Sequence, residues 1–392
     1  MRLDPTAILP EDWPQGSYAA RIMTEAGPVV LGLAGGEAFD LTPAFGTVSR
    51  WLEEEDAVAA IRARGEPLAL DLAGLIANSA HDARRAGAPW LLAPVDLAAV
   101  KASGVTYVRS MLERVIEERC RGDAARAAAV RAEVQAIIGD DLASLRPGSP
   151  EAMRVKEALV AKGWWSQYLE VGIGPDAEIF TKCPPMAAVG LGAKVGVHPM
   201  SAWNNPEPEA VLVVNARGRI VGATLGNDVN LRDVEGRSAL LLGRAKDNNA
   251  SCALGPMIRL FDGSFTLEDV RRATLTLAIE GRDGFRLEET GEVGAISRDP
   301  VELVAQLIGP HHQYPDGVVL FLGTPFSPVK DRGAPGMGFT HREGDVVTIR
   351  SPRLGALVNE VDRTDECPPW TFGAGALFAS LARRGLPRSV HR

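Results

Sequence analysis

Cysteine is scarce in this chain, with four in 392 residues. Cys120, Cys183, Cys252 and Cys367 lie far apart, no Cys-x-x-Cys occurs, and no histidines stand at zinc-finger spacing. That pattern excludes a structural zinc site and a disulfide framework, so four reduced thiols are expected. Long apolar runs are missing too, and none approaches the ~20 residues of a membrane span. Met1-Arg2-Leu3-Asp4-Pro5 lacks the basic-then-apolar order of a targeting segment, so a cytoplasmic protein with no membrane partner is expected. Aromatics make up only 6% of the chain, no Lys/Arg cluster is interleaved with them, and the net charge is -8. This argues against a nucleic-acid partner. No internal repeat or low-complexity tail is present.

What remains is ordinary globular material, 46% hydrophobic and long enough for two or more domains. Up to residue 103, β-like runs at 17–23 and 28–33 are broken by Gly and Pro, and 48–64 reads as one helix. This predicts a small β-rich N-terminal domain, 1–103, and a second domain, 104–392. The second domain opens with a helical segment, 107–162. There Val108, Met111, Leu112, Val115 and Ile116 follow helical spacing, and Val130, Val134, Ile137 and Ile138 repeat it. A third helix is expected near 150–162. The polar face carrying Glu113, Glu117 and Glu118 reads as solvated. From 165 onward strands dominate, at 274–280, 318–322, 346–349 and 356–361, with short helices at 267–272 and 300–308. The fold class is α+β.

The chemistry-bearing stretch is Asn204-Asn205-Pro206-Glu207-Pro208-Glu209. In extended chain, residues i and i+2 share a side, so Glu207 and Glu209 face one space. The apolar runs 210–214 and 220–225 flank Asn215-Ala216-Arg217-Gly218-Arg219, a hairpin connection. A turn centred near Arg217 sets Glu209 opposite Leu225 and Asp228 opposite Pro206, to within about one residue, bringing three carboxylates to one end of the hairpin. Crowded carboxylates repel unless a cation neutralises them, and an all-oxygen set suits Mg²⁺, Mn²⁺ or Ca²⁺. Taken singly, Glu-Pro-Glu also suits a solvated surface and Asn227-Asp228 an ordinary turn.

Further landmarks follow in order: Gly174-Pro175-Asp176-Ala177-Glu178, Gly226-Asn227-Asp228-Val229-Asn230, Lys246-Asp247-Asn248-Asn249-Ala250, Gly255-Pro256, Gly323-Thr324-Pro325 and Gly344-Asp345. With Trp203 to Glu209 they make the stretch from 168 to 361 resemble the fumarylacetoacetate hydrolase superfamily, in particular its sugar-acid dehydratase branch. The resemblance implies a β-rich roll preceded by a smaller N-terminal domain, assembled as a homodimer or homotetramer. It implies that Glu207, Glu209 and Asp228 ligate Mg²⁺, with Mn²⁺ an alternative. Lys246 and Glu178 would be catalytic and share the base and acid roles, and Thr324, Lys246 and Asn248 would bind substrate. The implied reaction is dehydration of a small-molecule 2-keto-3-deoxy sugar acid, a D-xylonate- or D-arabinonate-type pentonate giving 2,5-dioxopentanoate. The segment 107–162 is not required by the family pattern, and no role follows for it.

Other readings stay open at this level. Lys246 also suits a plain salt bridge, Thr324 a turn, and Asn248 a cap. Trp203 suits a pocket wall or a core, and His198 stands nine residues before Glu207. The adjacent His311-His312 reads as surface. An acylpyruvate-type carbon–carbon hydrolase would use a His-Glu dyad, but no histidine here is followed three residues later by Glu. A silent sugar-acid-binding protein would be expected to lose one of the five key positions, and all are filled.

Overall fold

The computed structural model describes residues 1–121, 123–127, 129–132, 145–333 and 338–388. In chain order the first strands are β1 (Ser17–Thr24), β2 (Gly27–Ala34), β3 (Glu37–Asp40), β4 (Glu66–Leu68), β5 (Trp90–Leu91), β6 (Ala99–Gly104), β7 (Glu178–Cys183), β8 (Lys194–Val197) and β9 (Asn204–Asn205). They continue as β10 (Pro208–Val214), β11 (Ile220–Asp228), β12 (Asn230–Leu231), β13 (Cys252–Leu260), β14 (Thr274–Glu280), β15 (Arg286–Glu292), β16 (Val318–Phe321), β17 (Val346–Ser351) and β18 (Gly355–Arg363). Among the described residues an eleven-stranded sheet runs β4-β3-β2-β1-β13-β11-β10-β16-β6-β7, with β5 also on β1. A second sheet runs β15-β14-β17-β18-β8, and β12 pairs with β9.

The alternation of side chains along β10 explains the packing. Ala210, Leu212 and Val214 join Leu275, Leu277, Ile279, Val347, Ile349 and Leu357 in a core between the two sheets. Val211 and Val213 point the other way, against Val48, Trp51, Leu52 and Ile61. A strand covered on both faces must be apolar throughout, and each fully buried aliphatic side chain contributes about 1.5–3 kcal/mol. The hairpin is thereby clamped, and the carboxylates at its end sit on rigid backbone.

Two expectations change in register or continuity. Val214 pairs with Ile220, but Val213 pairs with Gly222, a bulge that shifts the ladder by one residue. Glu209 consequently faces Gly226, and Asp228 donates its N–H to the carbonyl of Glu207 at 3.0 Å. The helix expected over 48–64 is two, Val48–Trp51 and Ala57–Arg64. Asp56 breaks it by capping the second helix, accepting from the Ala59 N–H at 2.8 Å. The β10–β11 turn docks on the intervening acidic run, with Ala216 donating to Glu53 and Arg219 to the Glu54 carbonyl.

The helix begun near 107 spans Val108–Cys120, and another spans Pro150–Ala161. Met111, Val115, Ile116 and Cys120 pack with Ala152, Leu159, Tyr168 and Leu169. The repeat at Val134, Ile137 and Ile138 lies outside the described residues. The solvated-face reading fails for Glu113 and Glu117, which are buried together with Arg114, Glu117 completely, because this side of the helix lies against the carboxylate end of the hairpin; Glu118 is only half-buried.

Candidate metal centre and active site

Ligand oxygens of Glu207, Glu209 and Asp228 lie within 4.8 Å of one another, and all three residues are buried. They line one small cavity with Ser103, Gly104, Arg114, Glu178, Glu235, Lys246 and Thr324. The hairpin that supplies the first three is the one read from the alternation. Gly323, beside Thr324, also lines the cavity, its N–H donating to Glu209 at 2.6 Å.

Charge pairing in this cavity is uneven. Glu207 accepts from Arg114 on Oε1 and from Lys246 on Oε2. Burial alone would raise its pKa, but Arg114 and Lys246 outweigh that and hold it at about 2. Asp228 is paired with Lys182 at 2.9 Å and Lys246 at 3.0 Å. Glu209 has no cationic partner among the described residues, and burial, then Asp228 and Glu207, push it well above the carboxylate range. A buried carboxylate left without a cation beside two others is what a divalent ion would relieve. The span of the three oxygens suits one ion with bonds of about 2.1–2.4 Å, so the residues fit an oxygen-liganded metal.

Lys246 ends the short helix Leu242–Lys246. Burial would lower its pKa, but Asp228, Glu207 and Glu235 overcome this and hold it cationic. Glu178 opens β7 and is pushed up to about 7, by burial first and by Glu235 second, against the pull of Arg114 and Lys246. Thr324 lines the cavity, but its hydroxyl proton is committed to the Phe326 carbonyl at 2.7 Å and must be redirected before it can donate to a substrate oxygen.

The remaining sequence candidates lie elsewhere. Asn248 does not line the cavity; its side-chain amide donates to the Arg244 carbonyl at 3.1 Å, which is a capping role. Trp203 packs in the helical cluster, its ring 4.4 Å from the Arg232 guanidinium. His198 meets Arg244 at 3.1 Å outside the cavity, and His311 and His312 are exposed.

Three residues of the site were not foreseen. Lys182 is buried and holds Asp228, the Val229 carbonyl and the Lys246 carbonyl together. Glu235, on the turn of helix Arg232–Glu235, is buried with its pKa raised by desolvation against the pull of Arg114 and Lys246. Arg114 joins Glu207, Glu117 at 2.7 Å and Glu235 at 3.0 Å. In sequence the Arg114/Glu117 pair at i,i+3 looks the same as a solvated helix pair, so no local signal marks it.

Comparison with known proteins bears on the same region. Residues 184–362 match the family described as fumarylacetoacetate (FAA) hydrolase C-terminal. Over 189 residues, 47% of this chain and 59% of the relative, it is 32% identical to a 2-dehydro-3-deoxy-D-arabinonate dehydratase of Saccharolobus solfataricus. Over 195 residues, 50% of this chain and 63% of the relative, it is 33% identical to a probable 2-keto-3-deoxyxylonate dehydratase of Haloferax volcanii. The match thus spans less than two thirds of either relative. A structure of 2-keto-3-deoxy-D-arabinonate dehydratase in apo form superposes with TM-score 0.61 at 20% identity, covering 88% of this chain and 98% of that one. Another, complexed with magnesium and 2,5-dioxopentanoate, gives 0.60 at 20% identity with the same coverage. A fumarylacetoacetate hydrolase from Exiguobacterium antarcticum gives 0.54 at 16% identity, covering 88% of this chain and 99% of that one. The α+β, β-rich fold is therefore of the fumarylacetoacetate hydrolase type.

Proposed function

We propose, from the match of residues 184–362 to the fumarylacetoacetate hydrolase family, that the chain is a divalent-cation-dependent dehydratase of a 2-keto-3-deoxy sugar acid. The substrate is a pentonate of the D-xylonate or D-arabinonate type, and the product is 2,5-dioxopentanoate. The observation that carries this reading is the convergence of Glu207, Glu209 and Asp228 with Lys246 and Glu178 in one buried cavity. Both curated relatives are named as dehydratases of such acids, which supports the choice of substrate class.

Glu207, Glu209 and Asp228 would hold Mg²⁺ or Mn²⁺. When bound, such an ion supplies Lewis acidity at the keto oxygen and so acidifies the protons of carbon 3. Lys246, held cationic, is placed to stabilise negative charge developing on the substrate oxygens. Glu178, poised at about 7, can accept a proton from carbon 3 and return one to the hydroxyl leaving carbon 4. Elimination leaves a C3–C4 alkene with an alcohol on carbon 5; a proton shift from carbon 5 to carbon 3 gives the C4–C5 enol, whose tautomerisation yields the aldehyde. Lys246 and Glu178 thus divide the work: Lys246 balances charge and Glu178 moves the proton. The acylpyruvate hydrolase reading lacks its base, since no histidine is among the described residues lining the cavity.

The test is a substrate panel assayed with Mg²⁺. Aldehyde formation from 2-keto-3-deoxy-D-pentonate ahead of the corresponding hexonate is expected. Carbon–carbon cleavage of an acylpyruvate without any dehydration would overturn the proposal.

A further inference from the structure

The helix Val108–Cys120 delivers a guanidinium to the metal cluster, and the way it is held suggests what it does. Each oxygen of Glu207 already accepts from a cation, Oε1 from Arg114 and Oε2 from Lys246, so a divalent ion that uses Glu207 draws off its charge, repels both cations and weakens these pairings. The two cations differ in what would remain to them. Lys246 pairs with Glu207 and Asp228, both in the three-carboxylate cluster. Arg114 contacts the cluster through Nη2 only. Its Nη1 is held at 2.7 Å by Glu117 and at 3.0 Å by Glu235, neither of them in the cluster. Glu117 is in turn fixed by Arg232 Nε at 2.6 Å, and Arg232 also reaches Glu113. Parted from Glu207, Arg114 would stay anchored by one arm while the other faced the cavity it lines.

We propose that Arg114 is a substrate-anion anchor unlocked by the metal: when a divalent ion takes Glu207, the freed Nη2 binds the carboxylate of a 2-oxo acid. A planar guanidinium held on one side is pre-organised for a carboxylate, and the buried setting strengthens the pair. The inference rests on the proposed function only in assuming a metal at the three carboxylates and a 2-oxo acid as ligand. It gives the helix a role in the site and makes binding ordered, metal first. In the metal-free chain Arg114 serves instead as part of the charge balance on Glu207.

The test uses the full chain, Mn²⁺ as metal probe followed by electron paramagnetic resonance of the free ion, and pyruvate as 2-oxo acid probe followed by calorimetry. In Arg114→Gln, Mn²⁺ affinity is expected to stay within about threefold of the unmodified chain or to tighten, because a neighbouring positive charge is lost. Pyruvate affinity of the Mn²⁺-loaded variant should fall by about tenfold or more. Arg114→Lys keeps the charge that Glu117 and Glu235 need for folding and should recover part of the pyruvate affinity. Unchanged pyruvate affinity in Mn²⁺-loaded Arg114→Gln would overturn the proposal. So would a fall in Mn²⁺ affinity that accounts for the pyruvate loss, since Arg114 would then merely orient Glu207. Both readouts are binding constants, so a failure of the unmodified chain to dehydrate pentonates would refute the substrate assignment while leaving this test intact.

Discussion

Gly104 and Glu178 face each other across β6 and β7, and a Cβ at residue 104 would stand 1.8 Å from the Glu178 Oε2. The carboxylate proposed to move the proton is thus seated in a space that only glycine leaves open. Gly104→Ala must displace Glu178 and is expected to lower kcat by about a hundredfold. Mn²⁺ affinity should hardly change, because the three metal carboxylates are positioned by β10, β11 and Gly323. Steady-state kinetics beside Mn²⁺ titration checks this, and undiminished turnover would remove Glu178 from the chemistry.

Lys246→Ala should reduce kcat by about 10²–10⁴-fold while metal-dependent binding of a 2-oxo acid persists. The outcome also separates an enzyme from a silent sugar-acid binder, which has no turnover to lose. Full turnover in the variant would reduce Lys246 to a salt-bridge partner of Glu207 and Asp228.

The metal-free protein should lose stability as pH rises through the window set by Glu178. Its folded pKa of about 7 lies above the ordinary value of 4.5, so between the two the folded state keeps a proton that the unfolded state releases. No penalty exists below pH 4.5, and above about 7 it is complete, on the order of 3 kcal/mol. Glu178→Gln should therefore be more stable than the unmodified chain at pH 8 and equal to it at pH 4. Urea titrations of chelator-treated protein at both pH values measure the difference, and equal stabilities at pH 8 would contradict the assigned burial of this carboxyl.

Glu117→Gln removes the carboxylate shared by Arg114 and Arg232. Two buried guanidinium groups would then face a neutral amide, and a loss of about 3–5 kcal/mol in unfolding free energy is expected. A change under about 1 kcal/mol by denaturant titration would instead mean that the helix face is as solvated as its sequence suggests.

The three candidate metal carboxylates were legible because their placement is local. Glu207 and Glu209 share a side by strand geometry, and Asp228 returns to them through one hairpin. The predicted register was off by one because the bulge at Val213 and Val214 is invisible to alternation, since both faces of the strand are apolar. Beyond 165, β10, β11, β14, β16, β17 and β18 and the helices Leu267–Arg271 and Pro300–Leu307 emerged from local pattern in the same way, whereas β7, β8, β13, β15 and the helix Ala374–Arg383 were not read from the sequence. Arg114, Lys182 and Glu235 were illegible because tertiary packing alone decides that they are buried. The helix break at Glu53 to Asp56 depends on a cap and on the docking of the β10–β11 turn from far along the chain. Asn248, two residues beyond Lys246, points instead to a helix carbonyl.

The central claim, dehydration at the Glu207, Glu209 and Asp228 centre, is tested most directly by adding 2-keto-3-deoxy-D-pentonate to chelator-stripped protein with and without Mg²⁺. Aldehyde product is followed through a coupled 2,5-dioxopentanoate dehydrogenase. Product that appears with Mg²⁺, and is abolished by EDTA and by Glu209→Gln, is the predicted result. No product with either Mg²⁺ or Mn²⁺, or product that forms equally well after chelation, would contradict the account.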